Sequence, residues 1–192
     1  KTECEIRFLI KNVEAFESRL KNIDHEVIKE YAFTDHIYKP NNLTKKWQNF
    51  EKIMRIRSWS RPKKKSELLF SSVKIEKHDG FTFKRSIFPQ GKIIFYSGDF
   101  EEASKIASEL DFYPWFKIEK FNGKLITVKE GNFSFVIEDI KDLGLTIEIE
   151  VWEEKPEKIR NRFNEILNIL CLREEDARYH PLARIYHEAN NL

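Results

Sequence analysis

The sequence predicts an α+β fold in which antiparallel strands close into a barrel around a charged interior and helices pack on the outside. Three short segments carry this prediction: residues 3–10, 54–58 and 146–152. In each, charged and apolar residues alternate, as they do in a strand with one polar face and one apolar face. One such strand would fit a solvated sheet edge. Two acidic strands and one basic strand together favour a sheet closed around charged groups.

The charged side chains lie on one face of each of these strands. They are Glu3, Glu5 and Arg7 in the first, Arg55 and Arg57 in the second, and Glu148 and Glu150 in the third. Two carboxylates one side-chain step apart make a candidate site for a divalent cation. Guanidinium groups match phosphate oxygens. The three strands therefore predict an interior that holds metal on one side and a polyanion on the other.

Helices are predicted where apolar residues recur at helical spacing. The first follows the opening strand and carries Val13, Phe16, Leu20 and Ile23. The second follows a candidate N-cap, Asp99, and the third begins at Pro156, which suits the first turn of a helix. Their apolar stripes are, in order, Phe100, Ala103, Ile106, Ala107 and Leu110, and Ile159, Phe163, Ile166, Leu167 and Leu170.

Strands are predicted wherever β-rich runs are bounded by turn residues. They are placed near residues 26–38, 50–59, 67–76, 81–88, 92–97, 114–121, 124–129, 132–138 and 145–152. Turns are expected at Arg61-Pro62, His78–Gly80, Pro89–Gly91, Asn122-Gly123 and Glu130-Gly131. Asn-Gly in particular is typical of a two-residue hairpin turn. Many antiparallel strands with a few helices between them are typical of an α+β barrel.

Length and composition limit the classes of protein to consider. The 192 residues suit one domain, 1–192, because no Pro/Gly/Ser-rich linker divides them. Charged residues make up 34% of the chain yet sum to a net charge of only +2, which argues against nucleic acid as a partner. No apolar run approaches the length of a membrane span, and the charged first strand argues against a signal peptide.

The two cysteines, Cys4 and Cys171, cannot build a disulfide framework. Reduced thiols and a cytoplasmic location are therefore expected. Whether two copies of the chain associate as a homodimer is left open.

Five motifs along the chain resemble those of the CYTH superfamily, the triphosphate tunnel metalloenzymes, which include class IV adenylyl cyclases and thiamine triphosphatases. Glu3-Cys-Glu5-Ile-Arg7 resembles the family's E-x-E-x-K, with Arg in place of Lys. The segment 34–40 resembles D-x-Y-F, and 54–57 resembles L-R-I-R. The segments 137–144 and 148–150 resemble L-D-x-V-x-x-L-G and E-I-E. Their common order over essentially the whole chain makes the signal specific.

This resemblance implies a closed eight-stranded antiparallel β-barrel, a tunnel with a charged lumen and helices packed outside. It implies Mg²⁺ or Mn²⁺ as cofactor and a triphosphate-containing small molecule as ligand: ATP, thiamine triphosphate or inorganic triphosphate. The implied metal ligands are Glu3, Glu5, Glu138, Glu148 and Glu150. The implied substrate-binding residues are Arg7, Arg55, Arg57, Lys74, Arg85, Lys120 and Arg184. Glu3, Glu5 and Arg57 are the implied catalytic residues.

Each of these assignments has a simpler alternative. The glutamates could be exposed strand carboxylates paired with lysines, and the cations could be ordinary surface charges. The family's lysine in L-T-x-K falls on Ser71, so Lys74 can serve only if its strand shifts or bulges. At the family's K-x-R, Ile118 stands in place of the first lysine. The basic run 61–65 could bind nucleic acid, but such a hairpin tip is more often a solvated turn.

The resemblance implies two reactions that could share this lumen. If water attacks the polyphosphate, the enzyme is a metal-dependent triphosphatase. If the ribose 3′-hydroxyl of ATP attacks, it is an adenylyl cyclase that forms cyclic AMP and pyrophosphate. We favour hydrolysis, because no segment indicates a pocket for adenosine. A non-catalytic polyphosphate- or nucleotide-binding module is the third alternative.

The end of the chain resembles the family's C-terminal R-x-S-Y stretch, with Arg184 and Tyr186 at the matching spacing. The resemblance implies a helix that closes one mouth of the tunnel and brings Arg184 to the phosphates. The alternative is a terminal helix held only by Leu182 and Ile185.

Overall fold

The computed structural model describes all 192 residues, arranged as ten strands and five helices with one short 3-10 turn at Glu174–Asp176. The strands are β1 (Thr2–Leu9), β2 (His25–Pro40), β3 (Lys52–Arg61), β4 (Lys65–His78), β5 (Phe81–Ser86), β6 (Ile93–Gly98), β7 (Phe112–Val128), β8 (Phe133–Ile140), β9 (Gly144–Glu153) and β10 (Ala177–Arg178). The helices are α1 (Val13–Leu20), α2 (Lys45–Gln48), α3 (Phe100–Glu109), α4 (Pro156–Leu170) and α5 (Leu182–Ala189).

Eight of the strands form a closed antiparallel ring in the order β1-β5-β4-β3-β2-β7-β8-β9, and β9 pairs back onto β1. The two remaining strands lie outside the ring, β6 against β4 and β10 against β1. The ring is uneven, because β1 meets β5 only at Cys4 and Glu5 but pairs with β9 along its whole length. The predicted α+β fold with an eight-stranded antiparallel barrel is confirmed.

The largest apolar cluster lies between the outside of the ring and α4. The predicted stripe of α4 is buried there against the outward faces of β1, β5, β8 and β9. Phe8, Phe83 and Phe163 are almost wholly buried in this cluster. Burial of such side chains is worth roughly 1.5–3 kcal/mol each. The apolar stripe of each alternating strand therefore packs outward onto helices, which leaves the charged stripe facing inward.

The other helices cover the rest of the barrel. Asp99 caps α3 as predicted, because its carboxylate accepts a hydrogen bond from the Glu102 amide at 2.8 Å. Ala103 and Ala107 of α3 pack against the outer face of β3 and β4. At one end of the barrel, α5 packs Ala183 and Tyr186 against Ile37, Ile53 and Ile118.

The predicted hairpin turn at Asn122-Gly123 is wrong. Residues 112–128 form the single strand β7, which pairs with the long strand β2 and shifts register near Gly123. A side chain at Gly123 would collide with the ring of Tyr31. This glycine therefore marks a close approach between two strands and not a chain reversal.

Two elements, α2 and β10, were not predicted; both are too short to carry a periodic signal. None of the helices combines the length and the apolar character that crossing a membrane requires.

Candidate active site

The ring encloses a cavity of about 320 Å³ that all eight of its strands line. The inward faces of β1, β3 and β9 supply the charged residues that the alternating pattern indicated. One end is closed by Ile37, Ile53 and Ile118, together with residues 181–183 at the start of α5. The cavity is therefore charged along its middle and apolar at this closed end.

Three carboxylates gather on the β1–β9 side of the cavity. Oxygen atoms of Glu5, Glu148 and Glu150 all lie within 4.8 Å of one another. They come together because Glu5 and Glu150 are directly opposite each other in the β1–β9 ladder, and Glu148 is the next inward residue along β9. We name these three residues the glutamate cluster.

The charge on the glutamate cluster is only partly compensated. Glu148 accepts a hydrogen bond from Arg7 at 2.6 Å, and Glu5 forms an ion pair with Lys84. Burial, followed by repulsion from Glu148 and Glu3, raises the pKa of Glu150 to about 8. A divalent cation would offset this repulsion, and Mg²⁺ typically takes one or two carboxylates with water and phosphate oxygens as further ligands. The residues therefore fit a metal ion of this kind.

Glu3 lines the same cavity but lies outside the glutamate cluster. Its carboxylate lies against Gly91, where a side chain would collide with it, and Gly91 has a positive φ of 80°. Burial, then repulsion from Glu148, raises the pKa of Glu3. Glu3 therefore lies beside the cluster, next to the loop that contains Gly91, and adds to its negative charge.

Glu138 belongs to a different network. It accepts hydrogen bonds from Lys120 at 2.6 Å, Arg7 at 2.9 Å and Tyr31 at 2.9 Å. Burial alone would raise its pKa, but Lys120 and Arg7 outweigh burial and lower the pKa to about 2. Its oxygens are already occupied by three donors, and it lies outside the group of oxygens that could share a metal. The geometry therefore makes Glu138 the partner of the cations. The expectation that Glu138 is a metal ligand is wrong.

Arg57 is held rigidly on the opposite wall. It forms a bidentate pair with Asp35, with both N–H···O distances at 2.8 Å, and its guanidinium lies 3.8 Å from the centre of the Phe33 ring. Asp35 was not among the predicted site residues. Burial would raise the pKa of Asp35, but Arg57 and Arg55 hold it well below its usual range.

Arg55 differs from Arg57 in having no hydrogen-bonded partner for its buried Nε atom. Its nearest carboxylate oxygen, in Asp35, is 3.8 Å away. Burial lowers the pKa of Arg55, and attraction to Asp35 does not fully offset this. An anion that entered the cavity would supply the missing partner.

Three lysines complete the basic lining, and sequence reasoning missed all of them. Lys84 and Lys92 lie near the glutamates, and Lys29 lies 5.1 Å from the Trp59 ring at the open end. Burial, together with Arg57 and Arg55, lowers the pKa of Lys92. Lys84 alternates with the apolar Phe83 on β5, so the strand pattern could have predicted that it faces inward. It stands opposite Glu5 in the β1–β5 pair. Lys92 follows a loop and carried no periodic signal.

Two predicted substrate-binding residues, Lys74 and Arg85, are on the wrong face. Strands β4 and β5 pair in regular register, so Ser71 and Val73 face the cavity and Lys74 is exposed outside. Arg85 stands opposite the outward-facing Cys4 and donates to Glu76 at 2.9 Å. The bulge that Lys74 would need is absent, and Lys84 takes the inward position that had been assigned to Arg85.

The terminal helix α5 closes the cavity, but Arg184 does not reach into it. Residues 181–183 line the closed end, whereas Arg184 is paired with Glu188 at 2.7 Å, one turn along the helix. Ile185 and Tyr186 are buried beneath α5. The helix is therefore a wall of the cavity, and the predicted role of Arg184 as a phosphate-binding cation has no support in this arrangement.

We expect Tyr186→Ala to destabilise the fold and Arg184→Ala to have little effect. Tyr186 is stacked on Phe116, with ring centres 6.2 Å apart, and its truncation should lower the free energy of unfolding by about 3 kcal/mol or more. A half-exposed i,i+4 pair such as Arg184–Glu188 contributes less than about 1 kcal/mol. Urea unfolding of both variants tests the ranking, and a large loss in Arg184→Ala would contradict it.

The pKa of Lys120 leads to a prediction about pH. Burial outweighs the attraction of Glu138 and lowers the pKa of Lys120 to about 8. Lys120 should lose its proton above this pH in the free protein, whereas a bound polyphosphate would favour the charged form. Affinity for tripolyphosphate should therefore fall as the pH rises above 8, by up to about tenfold per pH unit for one linked proton. Calorimetric titration with tripolyphosphate at pH 7 and 9.5 checks this. The affinity of Lys120→Met should depend less on pH than that of the wild type.

Several solved structures share this arrangement of strands and helices. A conserved hypothetical protein from Pyrococcus furiosus has a TM-score of 0.72 at 23% sequence identity, with 95% of this chain and 99% of that chain covered. A proposed adenylate cyclase from Vibrio parahaemolyticus has a TM-score of 0.65 at 17% identity, with 96% and 97% covered. The fold expected from the CYTH resemblance is confirmed.

A third structure, from Hippeastrum, has a TM-score of 0.55 at 13% identity, with 97% of this chain and 95% of that chain covered. It is described as a proposed adenylyl cyclase with a dominant triphosphatase activity. No protein-family model matches the chain, and no curated protein matches it either. Likeness at these identities establishes the fold, and one fold can carry many activities.

Proposed function

We propose that the protein is a metal-dependent triphosphatase that hydrolyses a triphosphate inside the barrel. The observation that carries this proposal is the pairing of two unsatisfied groups in one cavity. The Nε atom of Arg55 is buried without a hydrogen-bond partner, and the glutamate cluster holds three carboxylates whose charges repel. A phosphate chain accompanied by Mg²⁺ or Mn²⁺ would satisfy both.

The residues around the cavity can divide the work between binding and reaction. Arg55, Lys29 and Lys92 have no carboxylate hydrogen-bonded to them and would bind phosphate oxygens. Arg7, Arg57 and Lys120 are anchored to acids and would hold the charge of the chain in one position. A metal ion held by Glu5, Glu148 and Glu150 would withdraw electron density from the phosphoryl group and orient water.

Hydrolysis then requires one water molecule. The water oxygen bonds to phosphorus and one anhydride P–O bond breaks, and the leaving phosphate takes up the electron pair of that bond beside the basic wall. The proton that the water loses passes to the leaving phosphate or to solvent. Enclosure at the α5 end limits the entry of other water, so the fixed cations act at low dielectric. The Hippeastrum protein is described as having a dominant triphosphatase activity on this fold, which supports the choice of reaction.

Adenylyl cyclase activity is the second candidate, because an aromatic ring stands at the open end of the cavity. Trp59 is half-buried there, and its ring centre lies 6.0 Å from that of the buried Tyr31. Trp59 offers apolar surface for a base, which the sequence had not indicated. The likeness to the proposed cyclase from Vibrio parahaemolyticus gives further support.

One experiment separates the candidates. The protein is stripped of metal with a chelator, and Mg²⁺ or Mn²⁺ is added with tripolyphosphate, ATP or thiamine triphosphate in separate reactions. Phosphorus NMR and chromatography then resolve the products. Metal-dependent release of orthophosphate supports the triphosphatase, and cyclic AMP with pyrophosphate supports the cyclase. Tight binding of all three compounds without turnover would make the protein a non-catalytic binding module.

We also propose a reducing compartment, such as the cytoplasm. Cys4 and Cys171 are both free thiols, and Cys171 is exposed, where an oxidising environment would leave it reactive.

A further inference from the structure

The barrel wall is open between β8 and β9 at one end. The ladder joining these strands runs from the pair Ile140–Gly144 to the pair Phe135–Ile149 and ends there. Beyond it, Phe133 and Ser134 pair only with β7, and residues 150–153 pair only with β1. The two strands therefore diverge and leave a gap in the ring, which we name the β8–β9 gap.

A groove of about 870 Å³ passes through this gap. Its lining includes residues from both faces of the sheet: Phe135 and Val151 face outward to α4, whereas Glu148 and Glu150 face the cavity. Since side chains from both faces line one continuous space, the space must cross the wall. The glutamate cluster can thus be reached from outside by a route other than the open end of the barrel.

The charges along the two routes differ. The open end and the wall behind it carry Lys29, Arg55, Arg57, Lys92 and Lys120. The outer rim of the β8–β9 gap is nearly balanced, because Arg162 is paired with Glu165 at 2.6 Å and Glu153 lies near Lys1. The inner end of the gap is acidic, formed by Glu148 and Glu150. Lys158 is the other cation of the rim.

We propose that the β8–β9 gap is the port through which a divalent cation reaches the glutamate cluster, while the triphosphate enters by the open end. A free cation would be repelled by the basic lining of the open end and drawn along the gap toward carboxylates. A phosphate chain would be attracted by the basic lining of the open end and repelled by the glutamates at the inner end of the gap. This inference rests on the proposed function, because it assumes that the glutamate cluster binds metal.

The test uses Ser134, an exposed residue of β8 that lines the groove and is not part of the cavity. Ser134→Trp places a large side chain in the gap. Ser97→Trp is the matched control, because Ser97 is an exposed serine of the outer strand β6 and lines neither the groove nor the cavity. Aromatic residues are well tolerated in strands. Release of bound Mn²⁺ into excess chelator is followed by stopped flow, and equilibrium Mn²⁺ affinity by calorimetry.

A blocked port changes rates and not equilibria, because metal enters and leaves by the same path. Ser134→Trp should release Mn²⁺ roughly tenfold more slowly than the wild type, the lower end of what charge-lined clefts contribute to rates. The Kd for Mn²⁺ and the dissociation rate of tripolyphosphate should stay unchanged. Ser97→Trp should match the wild type in all three quantities.

A second variant tests whether a change in Mn²⁺ release comes from altered folding. Ser134→Cys in a Cys171→Ser background is labelled with a bulky thiol reagent after folding, and Mn²⁺ release is compared before and after labelling. The remaining Cys4 is buried. Equal release rates before and after labelling, with normal Mn²⁺ affinity, would overturn the port and leave the proposed function standing. A wild-type protein that binds no Mn²⁺ would refute the proposed function and the port together.

Discussion

Glu150→Gln should abolish metal-dependent turnover while leaving the protein folded. Glu150 is the member of the glutamate cluster that makes no ion pair or hydrogen bond to another side chain, whereas Glu5 holds Lys84 and Glu148 holds Arg7. The amide keeps the shape of the side chain and removes the charge that would bind the cation. Loss of even a supporting contact at a metal site typically costs 10–100-fold, so loss of a ligand should lower activity by about 100-fold or more.

The measurements are Mn²⁺ affinity by calorimetry, turnover of tripolyphosphate at limiting metal, and the melting temperature. Glu154→Gln is the matched control, because Glu154 lies just beyond β9 and is exposed outside the barrel. The same change at Glu5 should also lower activity but with a loss of stability, since Lys84 would then be buried without its partner. Wild-type Mn²⁺ affinity and turnover in Glu150→Gln would sink the metal-site assignment.

The fold could be predicted from the sequence because the strand pattern and the packing require the same arrangement. In the middle of β1 and β9, every second residue is apolar, and these residues are buried against the helices outside: Cys4, Ile6, Phe8, Ile147, Ile149 and Val151. Once the apolar faces turn outward, the charged faces must turn inward, so the position of Glu5 and Glu150 in the cavity follows from period alone. The apolar stripe of α4 predicted the buried face of that helix for the same reason.

The errors have two physical causes. Lys74 and Arg85 were assigned by resemblance to motif positions, and a one-residue change of phase in a strand moves a side chain through the wall of the barrel. Glu138 was assigned to the metal by resemblance to the acidic position of L-D-x-V-x-x-L-G, but its environment is set by Arg7 from β1 and Lys120 from β7. Such partners come from strands distant in sequence, so only the ring closure reveals them.

The cavity is arranged at a cost to the stability of the fold. Burying an ion takes it out of water, and this cost is recovered only where hydrogen bonds and an opposite charge replace the water. Asp35 with Arg57, and Glu138 with Arg7 and Lys120, meet that condition. Arg55 and Glu150 do not, and they are the residues that a phosphate and a metal would satisfy. The site is thus indicated by the charged groups left without partners.

Arg55→Ala and Arg57→Ala should have different effects, although the two residues are neighbours on one face of β3. Arg57 is the bidentate partner of the buried Asp35, so its removal leaves this carboxylate without its hydrogen-bonded cation. Breaking a buried pair in this way typically costs about 3–5 kcal/mol of stability. Arg55 has no such bond, so its removal should lower stability much less and act mainly on binding. Loss of a buried, charge-assisted contact to phosphate should weaken tripolyphosphate binding by about 2–5 kcal/mol.

Urea unfolding and calorimetric titration of tripolyphosphate, both applied to each variant, separate these effects. Lys64→Ala is the control for diffuse charge, because Lys64 lies at an exposed hairpin tip and should change binding by well under about 1 kcal/mol. The double variant Asp35→Asn/Arg57→Ala tests the cause of the stability loss in Arg57→Ala. It removes the charge of the Asp35 carboxylate and should recover part of the lost stability. Equal losses of affinity in Arg55→Ala and Lys64→Ala would mean that the polyphosphate is attracted by the surface of the protein and is not bound inside the barrel.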